Sequence, residues 1–375
     1  MTTADVHGFT TPGFAALRDI MAEFLEKGIE TGGAVAVSLN GRLVADLWGG
    51  HADAEKTRPW QRDTLVNVWS VTKGIGALAL AILGDRGKLD YSHPVARYWP
   101  EFAANGKAAI TLDTALSHQA GLNGLSVPMD MAALCAGQPF AQAVAEMAPL
   151  WEPGSRNVYH SITMGTLMGE PLRRIDGRSI GHFVADEIAG PLGVPFYIGI
   201  PEAEDGMVAE LTAEQAVFDG MQETLGSPYP QAGRNPVVLP TAPNARAWRA
   251  AEIAGANGHS NARALAMIYG DLVAHGSRLI SAAGLAEATR VRFDGLDAGG
   301  PVVYGAGFRL NEADYGRRGP KTTFGHPGWG GSIAFADPEA KLGFAFVTSR
   351  MLNFGDVMDP RRKRLIDAAY DALKA

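Results

Sequence analysis

A single cysteine, Cys135, stands in 375 residues, which excludes an internal disulfide framework and a cysteine-rich metal site. The formal net charge is −7, so nucleic acid is not an expected partner. Long apolar runs are missing as well. Gly74 to Leu83 carries no charge, but at about ten residues it is too short to span a bilayer, and no membrane partner is expected. The opening MTTADVHGFTTPGF has no basic segment followed by an apolar one, so no secretory signal is expected and the cytoplasm is the default compartment. The histidines show no H-E-x-x-H or other metal spacing, and neither a metal nor a cofactor is expected. What is present is ordinary for a globular enzyme: 46% hydrophobic and 19% charged residues exclude global disorder.

The periodicities sort the chain into ends and a middle. Residues 13 to 28 have helical spacing and stop at Gly28. GGAVAVSLNGRLVADLWGG follows as two strands joined by Asn40-Gly41, a strong hairpin signal. Near the other end, Tyr304 to Leu310 reads as a strand, and Ser332 to Ala336 with Leu342 to Thr348 as a hairpin around Asp337-Pro338. RRKRLIDAAYDALKA closes the chain as an amphipathic helix. Helices are expected near 71–86, 111–118, 138–147, 161–175, 179–189, 260–276 and 282–290. The economical arrangement is one α+β unit over residues 10–370. In it, residues 1–70 and 290–375 build an antiparallel sheet with flanking helices, and 71–290 form an inserted, mainly helical part. Residues 201–250 carry six prolines and weak periodicity, and read either as a lid over the active site or as a surface insertion.

Ser70-Val71-Thr72-Lys73 opens the apolar run. On a helix, positions i and i+3 share a face, so the Ser70 hydroxyl and the Lys73 amine would share one wall of a cleft. A serine hydroxyl becomes a good nucleophile only when a base takes its proton. A lysine on the first turn of a buried helix is desolvated and can be that base. The alternative is a serine N-cap followed by an exposed lysine.

Two further stretches supply what acyl transfer needs. Trp151-Glu152-Pro153-Gly154 leads to Tyr159-His160-Ser161, whose phenol can shuttle a proton beside the Lys73 ammonium. His326-Pro327-Gly328-Trp329-Gly330-Gly331-Ser332 lets backbone approach a substrate closely, and an N–H there could join that of Ser70 around an oxyanion. His160 is a candidate pocket residue. Trp69, Trp151 and Trp329, with Met129, Met131 and Met207, are candidates for the acyl-site wall or for ordinary core.

These motifs, in this order and spacing, resemble the class C β-lactamase and penicillin-binding-protein superfamily, and most closely the family VIII carboxylesterases. Leu116-Ser117-His118-Gln119-Ala120-Gly121-Leu122, WEPGSRNVYHSITMGTLMGE and GANGHSNARALAMIYGDL extend the resemblance over roughly residues 15 to 370. It implies a β-lactamase/transpeptidase-like fold and a small-molecule ester substrate. It also implies Ser70 as acylated nucleophile, Lys73 as base and Tyr159 as proton-transfer partner, with the division of labour between the last two left open. The oxyanion donors it implies are the N–H groups of Ser70 and of Trp329 or Gly330. Where the superfamily has Y-x-N, this chain has Tyr159-His160-Ser161; where it has K-T-G, this chain has His326-Pro327-Gly328. Without that lysine and threonine the site lacks an anchor for a substrate carboxylate. The expectation is a carboxylesterase for short-to-medium acyl groups, with weak β-lactam hydrolysis at most. The alternatives are a β-lactamase or D-Ala-directed peptidase, and a non-catalytic binding protein of the same fold. A rival nucleophile is Ser179 in Gly177-Arg178-Ser179-Ile180-Gly181, working with His326, but the charged EPLRRID before it is not the buried strand a nucleophile elbow requires.

Overall fold

The computed structural model describes residues 5–226, 235–297, 300–311, 315, 322–354 and 358–374. Its centre is a nine-stranded antiparallel sheet. From one edge to the other the strands are Val6–Thr10, Arg42–Gly50, Gly32–Leu39, Leu342–Thr348, Ile333–Asp337, Phe324–Pro327, Arg309–Leu310, Gly300–Tyr304 and Phe293–Asp297. The two ends of the chain meet in the middle, where Leu39 to Gly33 pair with Leu342 to Thr348. Asn40 and Gly41 both have positive φ, 50° and 76°, as a two-residue hairpin turn requires.

Alternation along the central strands gives the sheet two unlike faces. Val35, Val37, Ile333, Phe335, Phe344 and Phe346 point to one side, under the Ala16–Glu26 and Pro360–Ala372 helices. Ala34, Ala36, Ala334, Ala336 and Ala345 point to the other. This small-residue face lets the Ala262–Val273 helix approach so closely that a Cβ on Gly343 would collide with the Ala266 carbonyl and with Gly270. The Val71–Asp85 helix lies beyond, against the Phe324–Pro327 strand and the Thr163–Asp176 helix, and every residue from Val71 to Leu83 is buried. A helix apolar on all sides is stable only when covered on all sides. The expected helices are present, and the α+β class holds.

The structure departs from expectation in places. Tyr304 to Leu310 is not one strand. Gly307 has φ +81° and the Gly305 N–H bonds to the Phe308 carbonyl, so the chain reverses and Arg309 pairs with Tyr304. Val6–Thr10 and Phe293–Asp297 are strands that the periodicity did not mark. Short strands also occur outside the large sheet: Val66–Asn67 and Phe196–Ile198 flank Gly258–Ser260. The 201–250 segment carries helical pieces at Glu202–Met207, Gln215–Gly226, Ala242–Asn244 and Arg246–Ala250, and its residues 227–234 lie outside those described. Among the described residues no helix is long and apolar enough to cross a membrane. Nor, among them, does any group of three or more His, Cys, Asp or Glu form a metal-binding cluster.

Candidate active site

The chain reaches Ser70 through a forced turn. Trp69 has φ +50°, a left-handed conformation that costs a side-chain-bearing residue on the order of 1 kcal/mol and persists only when its surroundings hold it. They do. The Trp69 ring packs on Trp248 at 5.5 Å and on Trp329 at 5.0 Å, and Thr72 Oγ1 accepts from the Gly258 N–H at 2.8 Å. Ser70 then has helical φ and ψ, −69° and −6°, and its side chain makes no capping bond. The N-cap alternative therefore fails, and the hydroxyl is left to other partners.

Lys73 is fully buried. Its Nζ lies 3.0 Å from Ser70 Oγ and 2.7 Å from the carbonyl oxygens of both Ser161 and Gly255. Among the described residues no carboxylate pairs with it, and burial alone drives its pKa well below the usual lysine value. A neutral amine has two N–H groups and one lone pair. In the neutral form both N–H groups have carbonyls to bond, which leaves the lone pair for the Ser70 hydroxyl; in the ammonium form all three N–H groups have acceptors, Ser70 Oγ among them.

Tyr159 closes the other side, its phenol donating to Ser70 Oγ at 2.8 Å, and Lys73 Nζ lies 4.8 Å from the ring centroid. Burial pushes the phenol's pKa upward, more than its bond to Ser70 lowers it. Both shifts favour uncharged forms, an amine at Lys73 and a protonated phenol at Tyr159. In those forms Tyr159 O–H donates to Ser70 Oγ and the Ser70 O–H is free to donate to Lys73 Nζ.

Three histidines surround this trio, and all are held neutral mainly by burial. His160 is lowered to about 4, and His118 and His326 fall well below the ordinary imidazole value. His118 Nδ1 accepts from the His160 N–H at 2.9 Å, and its ring packs on Tyr159 at 4.7 Å. His160 Nε2 accepts from the Leu122 N–H at 3.1 Å, and its Nδ1 donates to the Val158 carbonyl at 2.7 Å. The Leu116–Leu122 segment thus braces the tyrosine segment. His160 does not line the pocket: it is fully buried and both ring nitrogens are taken by backbone. Ser161 contributes its carbonyl to Lys73.

The glycine-rich stretch meets Ser70 from the sheet. A Cβ on Gly328 would collide with the Val68 carbonyl, so only glycine lets the two segments touch. The Gly328 N–H bonds to the Ser332 carbonyl at 2.7 Å and the Gly331 N–H points to the Gly328 carbonyl at 3.5 Å. Gly328 therefore serves by close approach, and Trp329 and Gly330 remain as the candidate oxyanion donors. His326 is buried and donates from Nδ1 to the Pro327 carbonyl at 2.7 Å, so it brings no cation to the K-T-G position.

Gly255 and His118 are functional-site neighbours that local sequence reasoning did not single out as such. Their segments stood only among the family-like stretches. Ser179 is elsewhere: it caps the Ile180–Val184 helix, with its hydroxyl 2.7 Å from Glu252 Oε1 and 2.8 Å from His182 Nδ1. Ser179→Ala should cost about 1 kcal/mol of stability, as the loss of a helix cap does, and leave turnover unchanged. Thermal melts beside an ester assay check this, and loss of turnover would reinstate the rival nucleophile.

The Beta-lactamase family model matches residues 17–368. The Esterase/beta-lactamase LipL of Mycobacterium tuberculosis is 34% identical over 369 residues, covering 93% of this chain and 84% of the relative. A solved family VIII carboxylesterase superposes with a TM-score of 0.90 at 40% identity, covering 98% of this chain and all of the other. A penicillin-binding-protein homologue from Caulobacter crescentus gives 0.87 at 38% identity over 98% of this chain and 100% of its own. Matched by the family model over residues 17–368 and by a relative 34% identical over 93% of its length, the chain belongs to the β-lactamase family.

Proposed function

We propose that the protein hydrolyses neutral carboxylic esters, with short-to-medium acyl groups, through an acyl-Ser70 intermediate. One observation carries the reading: Ser70 Oγ sits between the buried Lys73 amine at 3.0 Å, which has no carboxylate partner among the described residues, and the Tyr159 phenol at 2.8 Å. Lys73 Nζ takes the hydroxyl proton as Oγ bonds to the ester carbon. The carbonyl oxygen, now negative, is held by the N–H groups of Ser70 and of Trp329 or Gly330. When the carbon–alkoxide bond breaks, Tyr159 gives the leaving oxygen its proton and recovers one from the Lys73 ammonium. Water then attacks the acyl-enzyme by the same steps in reverse order, releasing the acid and restoring the Ser70 hydroxyl.

The substrate's charge follows from what surrounds Ser70. With His326 held neutral, the position of the K-T-G lysine offers no anchor for a carboxylate. The relatives named for esterase activity point the same way, and the double name of the mycobacterial relative supports β-lactam hydrolysis beside it. Residues 123–140 and the described parts of 201–250 are read as the walls of the acyl pocket. Trp248, from the second, already reaches Trp69, and the Asn235 side chain donates to the Leu125 carbonyl at 2.8 Å. A panel of acetyl, butyryl and octanoyl p-nitrophenyl esters run beside a chromogenic cephalosporin tests the reading. The expected result is higher kcat/KM for the shorter esters than for the cephalosporin; the opposite ranking would make the protein a β-lactamase.

A further inference from the structure

The C-terminal helix begins with two arginines whose side chains leave the helix and grip the glycine-rich loop. Arg362 donates from Nε to the Gly331 carbonyl at 2.7 Å and from Nη2 to the Gly328 carbonyl at 2.9 Å. Arg361 donates from Nη2 to the Gly330 carbonyl at 2.8 Å. Arg361 is itself buried and fixed. Its Nη1 reaches Glu30 Oε1 at 2.5 Å and the Arg350 carbonyl at 2.8 Å, and its Nη2 reaches Asp359 Oδ2 at 2.7 Å.

The loop needs such a grip. Gly330 and Gly331 have φ +83° and +146°, conformations open to glycine and costly in freedom when fixed. The carbonyl that Arg362 holds belongs to the Gly328–Trp329 peptide, whose N–H is a candidate oxyanion donor. A peptide is planar and trans, so fixing the direction of its C=O fixes the opposite direction of its N–H. A guanidinium bonded to the oxygen also draws charge through the amide, and the N–H becomes a stronger donor.

We propose that Arg362, with Arg361 securing the next turn, is a positioning residue that aims and polarises the Trp329 N–H towards the oxyanion. The proposal rests on the acyl-Ser70 reading. It assigns the start of the C-terminal helix a part in transition-state stabilisation that no residue there performs by touching substrate.

Arg362 is the residue to change, because removing Arg361 would strand Glu30 in the core and could unfold the protein. In Arg362→Met, kcat for a short p-nitrophenyl ester is expected to fall about 10- to 100-fold, below the loss seen when an oxyanion donor is removed outright. KM should stay near wild type. The inhibition constant of an alkylboronic acid, whose tetrahedral oxygen mimics the oxyanion, should weaken in step with kcat. Arg362→Lys keeps a cation but not both bonds, and is expected to lie between; it also serves if the Met variant does not fold. Wild-type kcat and boronate affinity in either folded variant would overturn the proposal, as would a loss confined to KM. The parent reading fails separately: it is sunk if the wild-type enzyme does not carry the boronate on Ser70, whatever Arg362 does.

Discussion

Ser70→Ala removes ester turnover, with kcat expected to drop by about 10⁶ as when a serine nucleophile is deleted from a catalytic unit. No neighbouring group can take over. Tyr159 is held protonated by burial, Lys73 has both N–H groups on backbone carbonyls, and Ser179 is a helix cap bonded to Glu252. Stability should change little. The Tyr159 phenol loses its acceptor at a net cost of about 1 kcal/mol. Steady-state kinetics with a matched thermal melt check both halves, and a variant with wild-type fold and appreciable turnover would show that Ser70 is not the nucleophile.

Lys73→Met has the second-largest effect. Loss of a positioned general base costs about 10²- to 10⁴-fold, and the upper end is expected because, among the described residues, only Lys73 and Tyr159 bond to Ser70 Oγ. The pH profile separates this from a packing effect. The active form of Lys73 is the uncharged amine, and burial depresses its pKa. Wild-type kcat/KM should therefore rise with pH through that depressed value, reach a plateau well before the ordinary lysine range, and not fall again near neutrality, since Tyr159 is shifted upward. The methionine variant should lack the rising limb. Stability carries the same sign. Between the folded and unfolded pKa values of Lys73 the unfolded chain holds the extra proton, so stability rises with pH across that window and is lowest below it. A profile that rises only in the alkaline range of an exposed lysine would contradict a buried, neutral amine.

Much of this site was legible because its chemistry is written locally. Ser70 and Lys73 are one helical turn apart, and the unbroken apolar run after them already implied a buried helix. Asn40-Gly41 marked its hairpin because few residues other than glycine and asparagine accept positive φ. What stayed hidden is long-range or made by backbone. The carbonyls of Ser161 and Gly255 that hold Lys73 lie 88 and 182 positions away and belong to residues with no telling side chain at that point. Arg361 and Arg362 look in the sequence like the solvated face of an amphipathic helix, yet Arg361 is buried against Glu30. Tyr304 to Leu310 looked continuous because Gly305 and Gly307 interrupt its period without proline or charge. His160 looked like a pocket residue from its place beside Tyr159, and only the fold shows both its nitrogens turned to the backbone of Leu122 and Val158.

Labelling with a fluorophosphonate, followed by digestion and mass spectrometry, bears most directly on the central claim. A single adduct on the peptide containing Ser70, formed faster as pH rises and lost in the Lys73→Met protein, is the predicted outcome. An adduct on Ser179 or on any other residue, or labelling of Ser70 at an undiminished rate without Lys73, would contradict it.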